Sequence, residues 1–294
     1  MTPMDPLGDT LCALAEKLQP AGIELIIGGG YGLVLRARLL AAETRTGRYG
    51  FPITARATSD IDCFLSTDII IDGAKTQRIA IALEELGFTA RENYFIFDRT
   101  VDIRGRRETL QIDLLASDVS PEHDDLVHRK GDRRIRPKTY GNLHARLTPA
   151  AATVERGCTR IDISPDRRGV FVLVPHPASF IVMKLFAFRD RFESMDPDMQ
   201  GDAPYHAFDV FVVLASVDAA EWDQGRAILN APGVNTIIAE ARGIIQQYFN
   251  DVYAIGVVRL VEYARGTQGL RIREDQAQSF VRDLIDWFAL AVTT

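Results

Sequence analysis

Two carboxylates stand inside one short apolar run, Asp60-Ile61-Asp62-Cys63-Phe64-Leu65. On a β-strand alternate side chains share a face, so Asp60 and Asp62 point into the same volume. Carboxylates held that close repel each other unless something cationic lies between them. A second apolar run, residues 110–115, carries a single acid, Asp113. An isolated buried carboxylate costs about several kcal/mol unless it is paired or coordinated. If the two runs are neighbouring strands, three carboxylates meet on one face. Hard oxygen donors of this kind suit magnesium or manganese. A set of three can hold two ions about 3.5–4 Å apart, one activating an acceptor hydroxyl and the other gripping a triphosphate. The same carboxylates are placed to take the proton of that hydroxyl. Asp60, Asp62 and Asp113 are therefore the expected metal ligands and catalytic acids.

Upstream, the apolar run 23–27 breaks into Gly28-Gly29-Gly30-Tyr31-Gly32 before a helical pattern over 31–42. Glycines permit a sharp turn and a close approach to a ligand. A helix N-terminus offers free N–H groups to phosphate. Gly28, Gly29 and Gly30 are thus expected to cradle an anion. A bare glycine run is also a plain tight turn. Leu33 at the third glycine position of a dinucleotide fingerprint weakens that alternative. Asp-x-Asp alone is often surface charge; the order glycines, acid pair, single acid is what carries the reading.

The rest of the first half alternates. Helices are expected over 6–18 and 75–86, strands over 61–65, 94–97, 110–115 and 170–174, and a hairpin turn at Gly105. Residues 43–58 read as a polar connector and 121–148 resist assignment. After Pro177 the periodicity is helical, over 178–192, 206–216, 234–249, 252–264 and 274–291. The expected fold is α/β (α+β): a mixed sheet with flanking helices over residues 1–175, followed by a helical domain over 176–294. The nucleotide would bind between these halves.

The glycines, Asp60-Ile61-Asp62 and Asp113 together resemble the DNA polymerase beta-like nucleotidyltransferase superfamily. Within it, the chain is most similar to the AbiEii/MenT group of bacterial toxin-type nucleotidyltransferases. Arg56-Ala57-Thr58-Ser59-Asp60-Ile61-Asp62 matches the segment around the acid pair, with the arginine shifted by one position. Residues 178–189 resemble the group's lysine helix and 205–210 the aspartate helix after it. The resemblance spans roughly residues 23–215. It implies that Lys184 contacts the NTP phosphates, that Asp209 orients Lys184 or a substrate group, and that Thr58, Ser59 and Arg189 help bind the nucleotide. It also implies an RNA acceptor, such as a tRNA 3′ end, and a cognate antitoxin protein. Two features depart from the pattern: the connector after the glycines is long, and His206 stands where lysine or an acidic pair is usual. A small-molecule or protein acceptor, or a nucleotide-binding module without turnover, are the rival readings.

The chain carries 34 basic and 40 acidic residues, a net charge of −6. That is not the global signature of a nonspecific nucleic-acid binder. A local basic patch can suffice, and residues 128–138, with Arg104, Arg106 and Arg107, are the candidate. Three scattered cysteines, Cys12, Cys63 and Cys158, argue against a disulfide framework or a zinc site. Neither a secretory leader nor a run of roughly 20 apolar residues is evident. A cytoplasmic enzyme is the expectation.

Overall fold

The computed structural model describes residues 5–56, 58–103, 105–131, 133–139, 143–164 and 169–289. Ala57, Arg104, Asp132 and residues 290–291 of the expected last helix lie outside the described residues. The chain divides into two units, one of residues 1–36 and 56–175, the other of residues 37–55 and 176–294.

The first unit opens with α1 (Pro6–Leu18), capped by the Asp5 carboxylate, which accepts from the Gly8 N–H and from the Tyr31 hydroxyl at 2.8 Å. Then follow β1 (Ile26–Ile27), α2 (Gly29–Ala42), β2 (Asp60–Phe64), α3 (Thr67–Ile70), α4 (Gly73–Glu85), β3 (Thr89–Ala90), β4 (Ile96–Ile103) and β5 (Arg106–Ala116). After them come β6 (Val127–Lys130), β7 (Arg134–Pro137), β8 (Ala145–Leu147), β9 (Thr159–Asp162) and β10 (Phe171–Val174). The division into units falls within α2, whose last residues count with the second.

The strands form one mixed sheet in the order β6-β7-β8-β5-β2-β1-β10-β9, with β4 also on β5 and β3 on β4. The two acid-bearing strands are neighbours, and run parallel: β2 and β5 pair Asp60 with Gln111, Ile61 with Ile112 and Asp62 with Asp113. The positions alternating with the aspartates bury Ile61, Cys63, Ile112 and Leu114 on one face, none of them exposed. That burial fixes the register, because a slip of one residue would turn the aspartates into the core. The hairpin at Gly105 (φ +79°) is present, with longer arms than its apolar runs suggest. Residues 121–148, unassigned from sequence, supply β6, β7 and β8.

The second unit holds α5 (Pro177–Phe192), α6 (Pro197–Gly201), α7 (Ala203–Ala215), α8 (Ala219–Leu229), α9 (Asn235–Tyr248), α10 (Ile255–Gly266) and α11 (Glu274–Trp287). α7 is apolar nearly all round and packs against α5, α10 and α11, as a central helix must. No described helix is long and apolar enough to cross a membrane.

Residues 37–55 are a strap on this bundle. Arg45 pairs with Asp218 and Glu221, the two residues of the capping box of α8. The Arg48 guanidinium lies 4.5 Å from the Trp222 ring centre. The Tyr49 hydroxyl donates to Asp283, and the Gln276 side chain donates to the Tyr49 carbonyl. Phe51, 4% exposed, sets its ring edge-on to Phe211 at 4.9 Å. Burying a phenylalanine this way stabilises by about 3 kcal/mol. Phe51→Ala is expected to lower unfolding free energy by about that amount in urea, read from Trp222 and Trp287 fluorescence. A loss under about 1 kcal/mol would show that the strap is not part of the packed bundle.

Candidate active site

Register and alternation place Asp60, Asp62 and Asp113 on one face of β2 and β5, with Asp62 directly beside Asp113. All three are half-buried. On the far side of β2, the Gly28 N–H donates to the Asp62 carbonyl at 2.9 Å, continuing the β1–β2 ladder. The glycines then turn into α2 directly against β2. A β-carbon at Gly28 would overlap the Phe64 ring, and one at Gly29 would overlap the Asp62 carboxylate. One at Gly30 would come within 2.9 Å of Thr58. Gly29 also has φ +57°, where a side chain is strained. What stands over the glycines is therefore the Asp62 carboxylate, brought to the start of α2, where the helix dipole favours negative charge.

Each of the other two carboxylates has a polar support. The Thr58 hydroxyl donates to Asp60 Oδ1. Gln111 Nε2 donates to Asp113 Oδ1 at 2.8 Å, while Gln111 Oε1 accepts from Arg91 at 2.8 Å. Arg91 in turn makes a two-pronged pair with Asp98, at 2.5 and 2.9 Å. This chain from Asp98 through Arg91 and Gln111 sets the angle of Asp113. Its sequence signal was partial: Gln111 sits two residues before Asp113 in the same strand, but nothing local announces that Asp98 of β4 and Arg91, just after β3, come alongside. Ser59 is exposed beside the group.

Burial first, and the Asp60 carboxylate after it, push Asp113 up to about 6, against the Gln111 hydrogen bond and the charges of Arg91 and Arg146. Among the described residues no three His, Cys, Asp or Glu side chains are drawn together tightly enough to enclose one ion. The three acids share a face without converging, as mutual repulsion dictates. Their donors are all oxygen, the type a hard divalent cation takes, and Gly29 lacks the β-carbon that would fill the space taken by Asp62.

The other expected site residues belong to the second unit. Lys184 on α5 and Asp209 on α7 form an ion pair at 2.7 Å, with side chains 7% and 3% exposed. Breaking a pair so deeply buried costs about 3–5 kcal/mol. The expected partnership of these two residues is thus present. His206, one turn before Asp209, is buried with its ring 4.4 Å from Tyr205. Arg189 pairs with Asp190 and Glu240 and lies over Phe186 at 4.9 Å.

No family model and no curated protein matches the chain. Among solved structures it is similar to an antigenic nucleotidyltransferase-like protein from Paracoccidioides brasiliensis. The two share 15% identity over 82% of this chain and 87% of that one, with a TM-score of 0.42.

Because the folded protein holds Asp113 above its ordinary range, ionising it destabilises the fold. The stability that the protonated form contributes is complete below about pH 4 and is lost as pH rises through about 6. Asp113→Asn keeps an acceptor for Gln111 without the charge. With chelator present, it is expected to melt about 3–6 °C above the wild type at pH 7.5, from roughly 1–2 kcal/mol after allowance for solvent screening. The gap should narrow towards pH 4.5. A variant that melts below the wild type at pH 7.5 would contradict this.

Proposed function

We propose that the chain is a divalent-metal-dependent nucleotidyltransferase, moving an NMP group from an NTP to an acceptor hydroxyl. The observation that carries this reading is the Asp62–Asp113 pairing, which puts three carboxylates on one sheet face beside a glycine turn that admits Asp62 and no side chain of its own. Asp60 is supported by the Thr58 hydroxyl and Asp113 by the Gln111 amide.

Asp60, Asp62 and Asp113 would hold magnesium or manganese, which when bound supplies the charge that neutralises the triphosphate and the incoming oxygen. In the transfer, the acceptor oxygen forms a bond to the α-phosphorus and the bond to the bridging oxygen of pyrophosphate breaks. The acceptor proton passes to a carboxylate. Asp113 is the carboxylate proposed to take it, since the Gln111 hydrogen bond fixes its direction. The Gln111–Arg91–Asp98 chain keeps Asp113 aimed, and the glycine turn keeps Asp62 against α2. Positioning and charge neutralisation are the main sources of rate in such transfers.

The finer reading is an RNA acceptor, with the chain acting as a toxin that a protein partner neutralises. The support on this chain is the basic face of the same sheet, where Arg146 of β8 pairs with Arg134 of β7 and Arg134 with Lys130 of β6. Lys184 and Asp209 are the proposed phosphate-binding lysine and its orienting acid, supported by their buried pairing.

The test is label transfer from each of the four α-labelled NTPs into total RNA, with magnesium. Transfer should fall at least about a thousandfold in Asp60→Asn/Asp62→Asn, the scale expected when ligands of a catalytic metal are lost. Wild type and double variant equally silent, with RNA and with small hydroxylated acceptors alike, would remove the transferase reading.

A further inference from the structure

Within the second unit, the strap of residues 37–55 and α11 enclose a cavity of about 330 Å³. Arg48 and Tyr49 wall it from the strap, and Asp275, Ser279 and Arg282 from α11. The three helix residues are spaced by four and three, so they share one side of α11. The volume is at the low end of small-molecule sites, which run roughly from 300 to 1,000 Å³ and are mostly apolar. This one is lined by charge and hydroxyl groups, which disfavours an apolar occupant and suits a small polar one.

Asp283, 8% exposed, is the hub of the cavity. One of its oxygens accepts from the Tyr49 hydroxyl at 3.1 Å and from Arg48 at 3.3 Å; the other accepts from two nitrogens of Arg282, both at 3.1 Å. Tyr49 and Arg48 tie the strap to the helix. Arg282 ties nothing together, because it is the residue before Asp283 on the same helix. Its side chain is 71% exposed, and such a pair adds little to stability. Its effect is to hold a second guanidinium at the cavity. A guanidinium carries five N–H donors. Asp283 takes one from Arg48 and two from Arg282, which leaves donors on both. Ser279, half-buried, adds a hydroxyl one turn away.

The walls are set before any ligand arrives. Gln276 Nε2 donates to the Tyr49 carbonyl, and Gln276 Oε1 accepts from the Arg273 N–H, both at 2.9 Å. Binding therefore has little left to order, which favours affinity. Arg273 pairs with Asp275, so Arg48, Arg273 and Arg282 stand against Asp275 and Asp283, and one positive charge is in surplus.

We propose that this cavity binds a small phosphomonoester, a sugar or polyol phosphate, with its phosphate on Arg48, Arg282 and Ser279 and a hydroxyl on Asp275. Two guanidinium forks match the oxygens of one phosphate. The exposed carboxylate of Asp275 accepts from a sugar hydroxyl and repels a second anionic group, so di- and tricarboxylates fit poorly. Such a ligand bridges the strap and α11 and stabilises the folded protein in proportion to its occupancy. None of these residues belongs to the proposed catalytic set, so the outcome is independent of nucleotidyl transfer.

The experiment is isothermal titration calorimetry of the full-length protein at pH 7.5 in chelator, with ribose 5-phosphate, glycerol 3-phosphate, inorganic phosphate and citrate as probes. At least one ester should bind saturably and at least about tenfold more tightly than inorganic phosphate. Saturation should also change tryptophan emission. Arg48 lies 4.5 Å over Trp222, which stacks on Trp287 at 5.0 Å, and these are the two tryptophans of the chain. A phosphate on Arg48 weakens its pull on that ring. Arg282→Gln should weaken the ester at least about tenfold, with the melting temperature of the ligand-free protein nearly unchanged. Ser279→Ala should weaken it about three- to tenfold. No saturable binding of either ester would overturn the proposal. So would an Arg282→Gln variant that binds like wild type, since the phosphate would then sit elsewhere on the chain. Citrate binding more tightly than both esters would overturn the ligand class.

Discussion

Electrostatic repulsion among three carboxylates is the constraint around which the first unit is built. Asp60, Asp62 and Asp113 sit on strands whose other face is fully buried, so neither strand can rotate or slip to relieve them. Every local device nearby manages that charge. Thr58 donates to Asp60, Gln111 donates to Asp113, and the glycine turn brings Asp62 against the positive end of α2. Asp113 holds its proton to about pH 6. A site arranged this way is less stable without a cation than an uncharged version would be, which is the usual signature of a functional position kept at the expense of the fold.

The acids themselves were legible in the sequence because the period of a strand is two and the apolar background is clean. The pairing of Asp62 with Asp113 follows from neighbouring strands, which the sequence could only raise as a condition. The glycine run was legible as a turn. A phosphate cradle and a notch for a carboxylate call for the same residues, and only the β1–β2 ladder shows that Asp62 occupies the space over Gly29. Strands β6 to β8 escaped because each is only three or four residues long and every one carries basic residues among its few apolar ones. That pattern reads as a charged loop until the pairing closes it. The Gln111–Arg91–Asp98 chain was half visible, since its first member shares a strand with Asp113 and the other two arrive from a different hairpin arm.

In the second unit the pattern of helices was legible, except for α6, too short to show a period, and for two stretches that share one cause. α8 carries little apolar periodicity, and residues 37–55 look like a polar connector. Both are held by arginine chemistry that hydrophobic spacing does not register: Arg45 on the acids of the α8 cap, and Arg48 over Trp222. Lys184 and Asp209 were named from resemblance alone, and the buried pair they make is the part of that expectation visible in the fold. A buried ion pair is weak evidence of stability by itself, so a reason other than packing is needed for keeping it in the middle of α5 and α7.

The claim on which the rest depends is that the three carboxylates exist to hold a divalent cation. Manganese uptake followed by the loss of its free-ion electron paramagnetic resonance signal, at pH 7.5 and without nucleotide, tests it most directly. The account predicts saturable uptake by the wild type, lost or weakened at least about tenfold in Asp62→Asn and in Asp113→Asn, as expected when an oxygen ligand is neutralised. Uptake by the wild type no greater than that of an Asp60→Asn/Asp62→Asn/Asp113→Asn triple variant would contradict it.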